Sequence, residues 1–169
     1  MSEMTEEFLH EAFAGESMAH MKYLIYSEVA ENKGMDNLAR MFKAIAYAEF
    51  VHAKNHAKNL GLVKEVSDNI DKCIDGENFE VDEMYPVYKA TAEMQDQKKA
   101  KRGFHYALEA EKIHEKMYKK AKEHAAKGED MDIGEIYICP VCGYTHYKGE
   151  LPDNCPVCGI KSEKFKKFE

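Results

Sequence analysis

The sequence predicts a mainly α-helical chain: a four-helix bundle followed by a small metal-binding domain of short strands and turns. Three observations lead there. Apolar residues recur at helical spacing through the first three quarters of the chain. Only Pro86 falls in the first 130 residues, while Pro140, Pro152 and Pro156 crowd into the last thirty. Four of the five cysteines lie between Cys139 and Cys158. With 169 residues there is material for one ordinary domain plus an appendage. The polar connector Gly128 to Gly134 (GEDMDIG) separates the two regimes, giving expected domains at residues 1–133 and 134–169.

Each helix has its own signals. The first is expected from about Ser2 to Asn32, stopped by Gly34, and the second from Asp36 to Gly61. The third should open with Ser67 or Asp68 as N-cap and bend at Pro86. The fourth covers Lys98 to Ala126, after a turn near Gln95 to Gln97 that lacks a glycine. Four helices of about 25 residues make a four-helix bundle.

Composition narrows the function. A net charge of −7 argues against nucleic acid or an anionic membrane as main partner. No apolar run approaches the roughly 20 residues of a membrane span. The acidic stretch Met1 to His10 lacks the features of a signal peptide, so a cytoplasmic protein is expected. A tight cysteine cluster there reads as a metal site before a disulfide framework. Cys73 stands apart and reads as a packed core thiol.

The inward stripes carry carboxylates. They read Leu9, Ala12, Phe13, Glu16, Ala19 and Tyr23 on the first helix, and Phe42, Ile45, Ala46, Glu49, His52 and Ala53 on the second. The third gives Ile70, Cys73, Ile74, Glu77, Glu80, Val81 and Met84; the fourth gives Phe104, Ala107, Leu108, Glu111, His114 and Tyr118. Buried carboxylates without cations are costly, and metal ions are the simplest remedy. Residues i and i+3 share a helical face, so Glu49–His52 and Glu111–His114 each aim a carboxylate and an imidazole at one point. Two such pairs plus a glutamate on each remaining helix match the ligand pattern of di-iron carboxylate bundles.

An internal repeat supports the pairing. Gly15-Glu16 recurs as Gly76-Glu77 at an offset of 61, and Ala48-Glu49-x-Val51-His52 recurs as Ala110-Glu111-x-Ile113-His114 at an offset of 62. Two related hairpins would present equivalent ligand sets to two metals. Glu80 has Ala19 as its counterpart and is an additional carboxylate.

In the tail, Cys139-Pro-Val-Cys142-Gly and Cys155-Pro-Val-Cys158-Gly are separated by twelve residues. Each pair places two thiolates on one metal, and two pairs complete a tetrahedron. Gly143 and Gly159 would let the backbone curl so that amides point at sulfur. Iron there gives a one-electron carrier, zinc a structural ribbon.

Together these motifs resemble the rubrerythrin family over essentially the whole chain, through Ala14-Gly15-Glu16-Ser17, Gly76-Glu77-Asn78-Phe79-Glu80 with Met84-Tyr85-Pro86, both Glu-x-x-His pairs, and the two cysteine knuckles. The resemblance implies a ferritin-like di-iron bundle with a C-terminal rubredoxin-like domain, and a non-haem peroxidase reducing hydrogen peroxide to water. It implies that Glu49 and Glu111 bridge two irons, that Glu16 is terminal on the first, and that Glu77 and His114 are terminal on the second. Glu80 would bind the first iron in the diferric state and give way to His52 on reduction. Tyr23 and Tyr85 match tyrosines that orient carboxylates. Cys139, Cys142, Cys155 and Cys158 would hold one further iron, with zinc as a possible substitute. Electrons would come from a rubredoxin or an NAD(P)H-dependent reductase, since the chain has no dinucleotide fingerprint of its own.

The link between the second and third helices is short. About twelve residues follow Glu49 in its helix and about nine precede Glu77, so a return along the bundle spans roughly 30 Å. The seven residues from Gly61 to Ser67 reach at most about 25 Å. Either the bundle is a simple up-down one, or the third and fourth helices join a second chain in a domain-swapped homodimer; the second is expected. Three rival functions stay open: a ferroxidase or iron-storage protein, a non-enzymatic zinc-ribbon helical protein, and an oxygen-reducing or superoxide-handling enzyme.

Overall fold

The computed structural model describes residues 1–169, which form two compact units, residues 1–64 and 65–169. The first unit is a helical hairpin of α1 (Glu3–Glu31) and α2 (Asp36–Asn59). Ser2 caps α1 by accepting the Thr5 amide hydrogen, and the acidic residues Glu3 and Glu6 suit the positive end of the helix dipole. The seam between the helices is built from small residues. Ala46 is 0% and Ala39 2% exposed, and the fully buried Ser27 donates its hydroxyl hydrogen to the Ala39 carbonyl at 3.0 Å. That bond satisfies the hydroxyl that the seam buries. Several large apolar side chains, among them Met18, Met21, Ile25, Met41 and Ile45, stay exposed on this hairpin.

The second unit opens with α3 (Val66–Phe79), continues through a π-helical turn (Glu80–Met84) into α4 (Tyr85–Met94), and returns as α5 (Lys98–Ala125). Two expectations change here. The N-cap is Glu65, in extended conformation and without a side-chain cap bond, not Ser67 or Asp68. The helix therefore begins at Val66, and Asp68 lies in the first turn, where its charge meets the helix dipole. The expected bend at Pro86 is taken up ahead of the proline by the π turn, closed by the Tyr85 amide donating to the Glu80 carbonyl. Pro86 then sits in the first turn of α4, directly after the widened stretch.

The π turn has a sequence cause. Glu16 and Glu77 stand 61 apart, but Tyr23 and Tyr85 stand 62 apart, so one extra residue lies between Glu77 and Tyr85. A single inserted residue in an α-helix is absorbed as one π turn, and it is found at Glu80–Met84. The turn before α5 also solves its problem without glycine: Asp96 takes φ 51°, a left-handed conformation that aspartate tolerates.

The small domain is a three-stranded antiparallel sheet, order β2-β1-β3, of β1 (Ile136–Ile138), β2 (Thr145–His146) and β3 (Lys166–Phe168). Its core is the cysteine cluster, packed by Tyr144, Val157, Ile160 and Phe165 and, from α5, by Tyr106. No helix is long and apolar enough to cross a membrane.

Ala46→Leu would force a larger side chain into the α1–α2 seam. It should lower stability by about 1–3 kcal/mol, read as a shift in the urea midpoint of the metal-loaded protein; an unchanged midpoint would show a looser seam than described.

Candidate metal centres

In the first hairpin, α1 supplies Glu16 and α2 supplies Glu49 and His52, whose ligand atoms lie within 4.8 Å of one another. His52 Nδ1 is 3.0 Å from Glu49 and 3.7 Å from Glu16. In the second unit, Glu77 of α3 meets Glu111 and His114 of α5 within the same limit, with His114 Nδ1 2.6 Å from Glu111. The i, i+3 spacing on α2 and α5 creates both pairs.

The electrostatics of the second set ask for a cation. Burial, followed by hydrogen bonding to Glu111 and the charge of Glu111, raises the Glu77 carboxyl to about 7. Glu111 is held low, first by its hydrogen bond with His114, and that same bond raises His114. Glu80 is also raised, by burial and then by Glu111. Glu77 Oε2 is buried without a hydrogen-bond partner, an unfilled acceptor of the kind a metal ion occupies. A metal here would replace the protons of Glu77 and His114.

The structure repeats itself around these sets. Tyr23, Tyr26 and Phe42 form an aromatic triad with ring centroids 5.8–6.4 Å apart. Tyr85, Tyr88 and Phe104, each 62 residues on, form the same triad at 5.5–6.4 Å. Tyr85 stays a phenol: burial and then the charges of Glu80, Glu111 and Glu77 raise its pKa.

The four cysteines converge, with Cys139 and Cys158 sulfurs 3.5 Å apart and those of Cys142 and Cys155 also 3.5 Å apart. A metal about 2.3 Å from each of four tetrahedral sulfurs needs edges of about 3.8 Å, so the cage fits one with a slight expansion. Gly143 and Gly159 adopt φ of 77° and 79°, and their amides donate to the Cys139 and Cys155 carbonyls. This curl aims the Tyr144 amide at Cys142 and the Ile160 amide at Cys158. Burial nevertheless raises both of those thiols. At Cys155 burial is outweighed by the amides of Cys158 and Val157 and by neighbouring thiols, and its pKa is lowered. A bound cation would allow all four to ionise.

Residues 7–122 match the Rubrerythrin family, and residues 137–166 match its rubredoxin-like domain. The chain belongs to the rubrerythrin family. It is 48% identical to Rubrerythrin-2 of Clostridium acetobutylicum, across 98% of this chain and 97% of that one. It is 32% identical to nigerythrin of Nitratidesulfovibrio vulgaris, across 95% and 85%. Among solved structures, fully reduced, all-ferrous nigerythrin matches with a TM-score of 0.56 and 29% identity, covering 97% of this chain and 86% of that one. The fold is thus the ferritin-like four-helix one with a rubredoxin-like appendage, and the cofactors of this rubrerythrin-family chain are iron, at a carboxylate–imidazole di-iron site and at the four cysteines.

The residues singled out from the sequence fall into three groups: Glu16, Glu49 and His52; Glu77, Glu111 and His114; and the four cysteines. Glu80 lies outside the second set but within reach of its field. Two other histidines have ordinary partners: His20 Nδ1 meets the Ala46 carbonyl at 2.7 Å, and His146 Nε2 the Gly149 carbonyl at 3.3 Å. Cys73 hydrogen-bonds with Tyr118. The sequence reading missed the aromatic triads, although the offset of 62 runs through them, and it missed Thr145, which meets His114.

Metal uptake should release protons. Glu77 binds a proton up to about 7 and His114 is raised, so affinity of the bundle should fall as pH drops below 7. Calorimetric titration of metal-free protein in two buffers of different ionisation enthalpy measures the release; a buffer-independent heat at pH 7 would contradict it.

Proposed function

We propose that this chain is a cytoplasmic non-haem di-iron peroxidase that reduces hydrogen peroxide to water in defence against oxidative stress. The observation that carries the reading is the pairing, on one chain, of two matched Glu plus Glu-x-x-His sets with a four-thiolate cage. A storage protein has no task for the cage, and a zinc ribbon none for the carboxylates. Reduction of one peroxide consumes two electrons and two protons and yields two waters. Iron, when bound, would supply the electron pair at the carboxylate–imidazole site and a one-electron store at the four cysteines.

The side chains divide the remaining work. Glu49 and Glu111 would be shared between the two metals, Glu16 would hold the first, and Glu77 with His114 the second. Glu80, in the π turn, would be the extra carboxylate suited to a more highly charged oxidised pair, and neutral His52 would suit the reduced one. The phenol of Tyr85, whose ionisation is opposed by burial and then by the carboxylates around it, is a donor that can orient them, with Tyr23 in the equivalent place on α1. Electrons arrive from a rubredoxin or an NAD(P)H-dependent reductase.

The active form in this reading is a homodimer in which α3 to α5 are exchanged between chains. From Glu49 to the end of α2 and from the start of α3 to Glu77 are together about 20 helical residues, or roughly 30 Å. The six residues from Leu60 to Glu65 reach only about 21 Å. The exposed methionines and isoleucines of the first hairpin supply the apolar face a bundle requires.

Stopped-flow spectroscopy of the reduced, iron-loaded protein with hydrogen peroxide should show rapid oxidation of the tetrathiolate with stoichiometric peroxide loss. Cys142→Ala should still consume one peroxide per di-iron site but then stop; no peroxide consumption by the reduced wild-type protein would refute the activity. The exchange is tested by complementation. A heterodimer of a Glu16→Ala chain with a Glu77→Ala chain regains one intact centre only if α3 to α5 cross over, so restored turnover supports the swap and none sinks it.

A further inference from the structure

One buried hydroxyl reaches the second ligand set from the small domain. Thr145 is 3% exposed, and its Oγ1 lies 2.8 Å from His114 Nε2 and 3.3 Å from the Gly143 carbonyl oxygen. A hydroxyl has one hydrogen to give, and a carbonyl oxygen can only accept. Thr145 therefore donates to Gly143 and accepts from His114, which puts the hydrogen on Nε2. The nitrogen left to ligate is Nδ1, the atom that stands 2.6 Å from Glu111.

The fold leaves Thr145 little freedom. Its pairing with Ile138 in the sheet sets it next to the Cys139 knuckle, and Gly143 faces Ala110 of α5 across a space that an added Cβ would fill in ordinary contact at 3.9 Å. Ala110, Glu111, His114, Val141, Cys142 and Gly143 line one groove of about 370 Å³. His52, the sequence equivalent of His114, is 54% exposed, and its Nδ1 contacts are to Glu49 and Glu16 alone.

We propose that Thr145 is a positioning residue for the di-iron centre: it fixes His114 as an Nδ1 ligand and ties it, through the Gly143 carbonyl, to the Cys142 knuckle. This rests on reading His114 as a ligand. A ligand imidazole whose second nitrogen is held by a fixed acceptor keeps one tautomer and one ring orientation. Turning the ring would cost the buried hydroxyl oxygen the one hydrogen bond it accepts. The bridge also makes the connection between cage and ligand a bonded one: Cys142, the Gly143 carbonyl, the Thr145 hydroxyl, then the imidazole.

The test uses full-length, zinc-loaded wild type, Thr145→Val and Thr145→Ser. Valine keeps the shape and removes both hydrogen bonds; serine keeps them. In wild type, long-range proton–nitrogen NMR should show His114 protonated at Nε2, with that hydrogen slow to exchange. In Thr145→Val the protected hydrogen should vanish. Cobalt titration should show bundle affinity about ten- to a hundredfold weaker, with the cobalt–thiolate absorption of the cysteine site unchanged. Thr145→Ser should restore both. Retained affinity and a protected Nε2–H in Thr145→Val would overturn the proposal, as would a serine variant as weak as the valine one. None of these readings uses peroxide, so they stand whatever the substrate. A His114 nitrogen signal that does not move on metal loading in wild type would instead remove His114 from the ligand set itself.

Discussion

Carboxylates turned toward one another repel, and the helical part of this chain is organised around relieving that repulsion. Glu77 and Glu111 meet so closely that, without metal, one keeps its proton near neutrality while the other leans on His114. Protons and imidazolium hold such a cluster together only provisionally; divalent or trivalent cations do it fully. The same requirement governs the cage, where burial opposes ionisation of Cys142 and Cys158 while backbone amides favour it. At both sites the protein is folded around charge that it cannot neutralise alone, which makes metal loading and stability one problem.

The two hairpins meet that requirement with shared parts. Each carries a glutamate on one helix, a Glu-x-x-His on the other, and a Tyr–Tyr–Phe triad beside them. The surroundings differ. In the second unit His114 is clamped by the small domain and Tyr85 stands among three carboxylates, whereas His52 is half exposed. The two sets thus share their ligand types and differ in how firmly their imidazoles are held.

Much of this was legible in the sequence because helical spacing and cysteine spacing map directly onto geometry. Glu49 with His52 and Glu111 with His114 meet because residues i and i+3 must. The helix ends near Gly34 and Gly61 and the turn at Gln95–Gln97 were also readable, the last without the usual glycine because Asp96 can take its place. The start of α3 was not, since Ser67 and Asp68 carry cap chemistry but Glu65 has the extended backbone. Thr145 was invisible for a different reason: its partner is 31 residues away, and only the register of β1 with β2 brings the two together.

The π turn at Glu80–Met84 also acts as a phase adjuster. Each residue added to an α-helix rotates everything beyond it by about 100°. Spread over one wide turn, the extra residue between Glu77 and Tyr85 is absorbed, so Tyr85 and Tyr88 still meet Phe104 as Tyr23 and Tyr26 meet Phe42. The helix thus keeps two faces in register that its residue count alone would set a quarter-turn apart. Length at this point is quantised: the segment can differ from its counterpart in α1 by a whole residue only where the backbone widens to take it, and the widened stretch begins at Glu80, where α1 has Ala19.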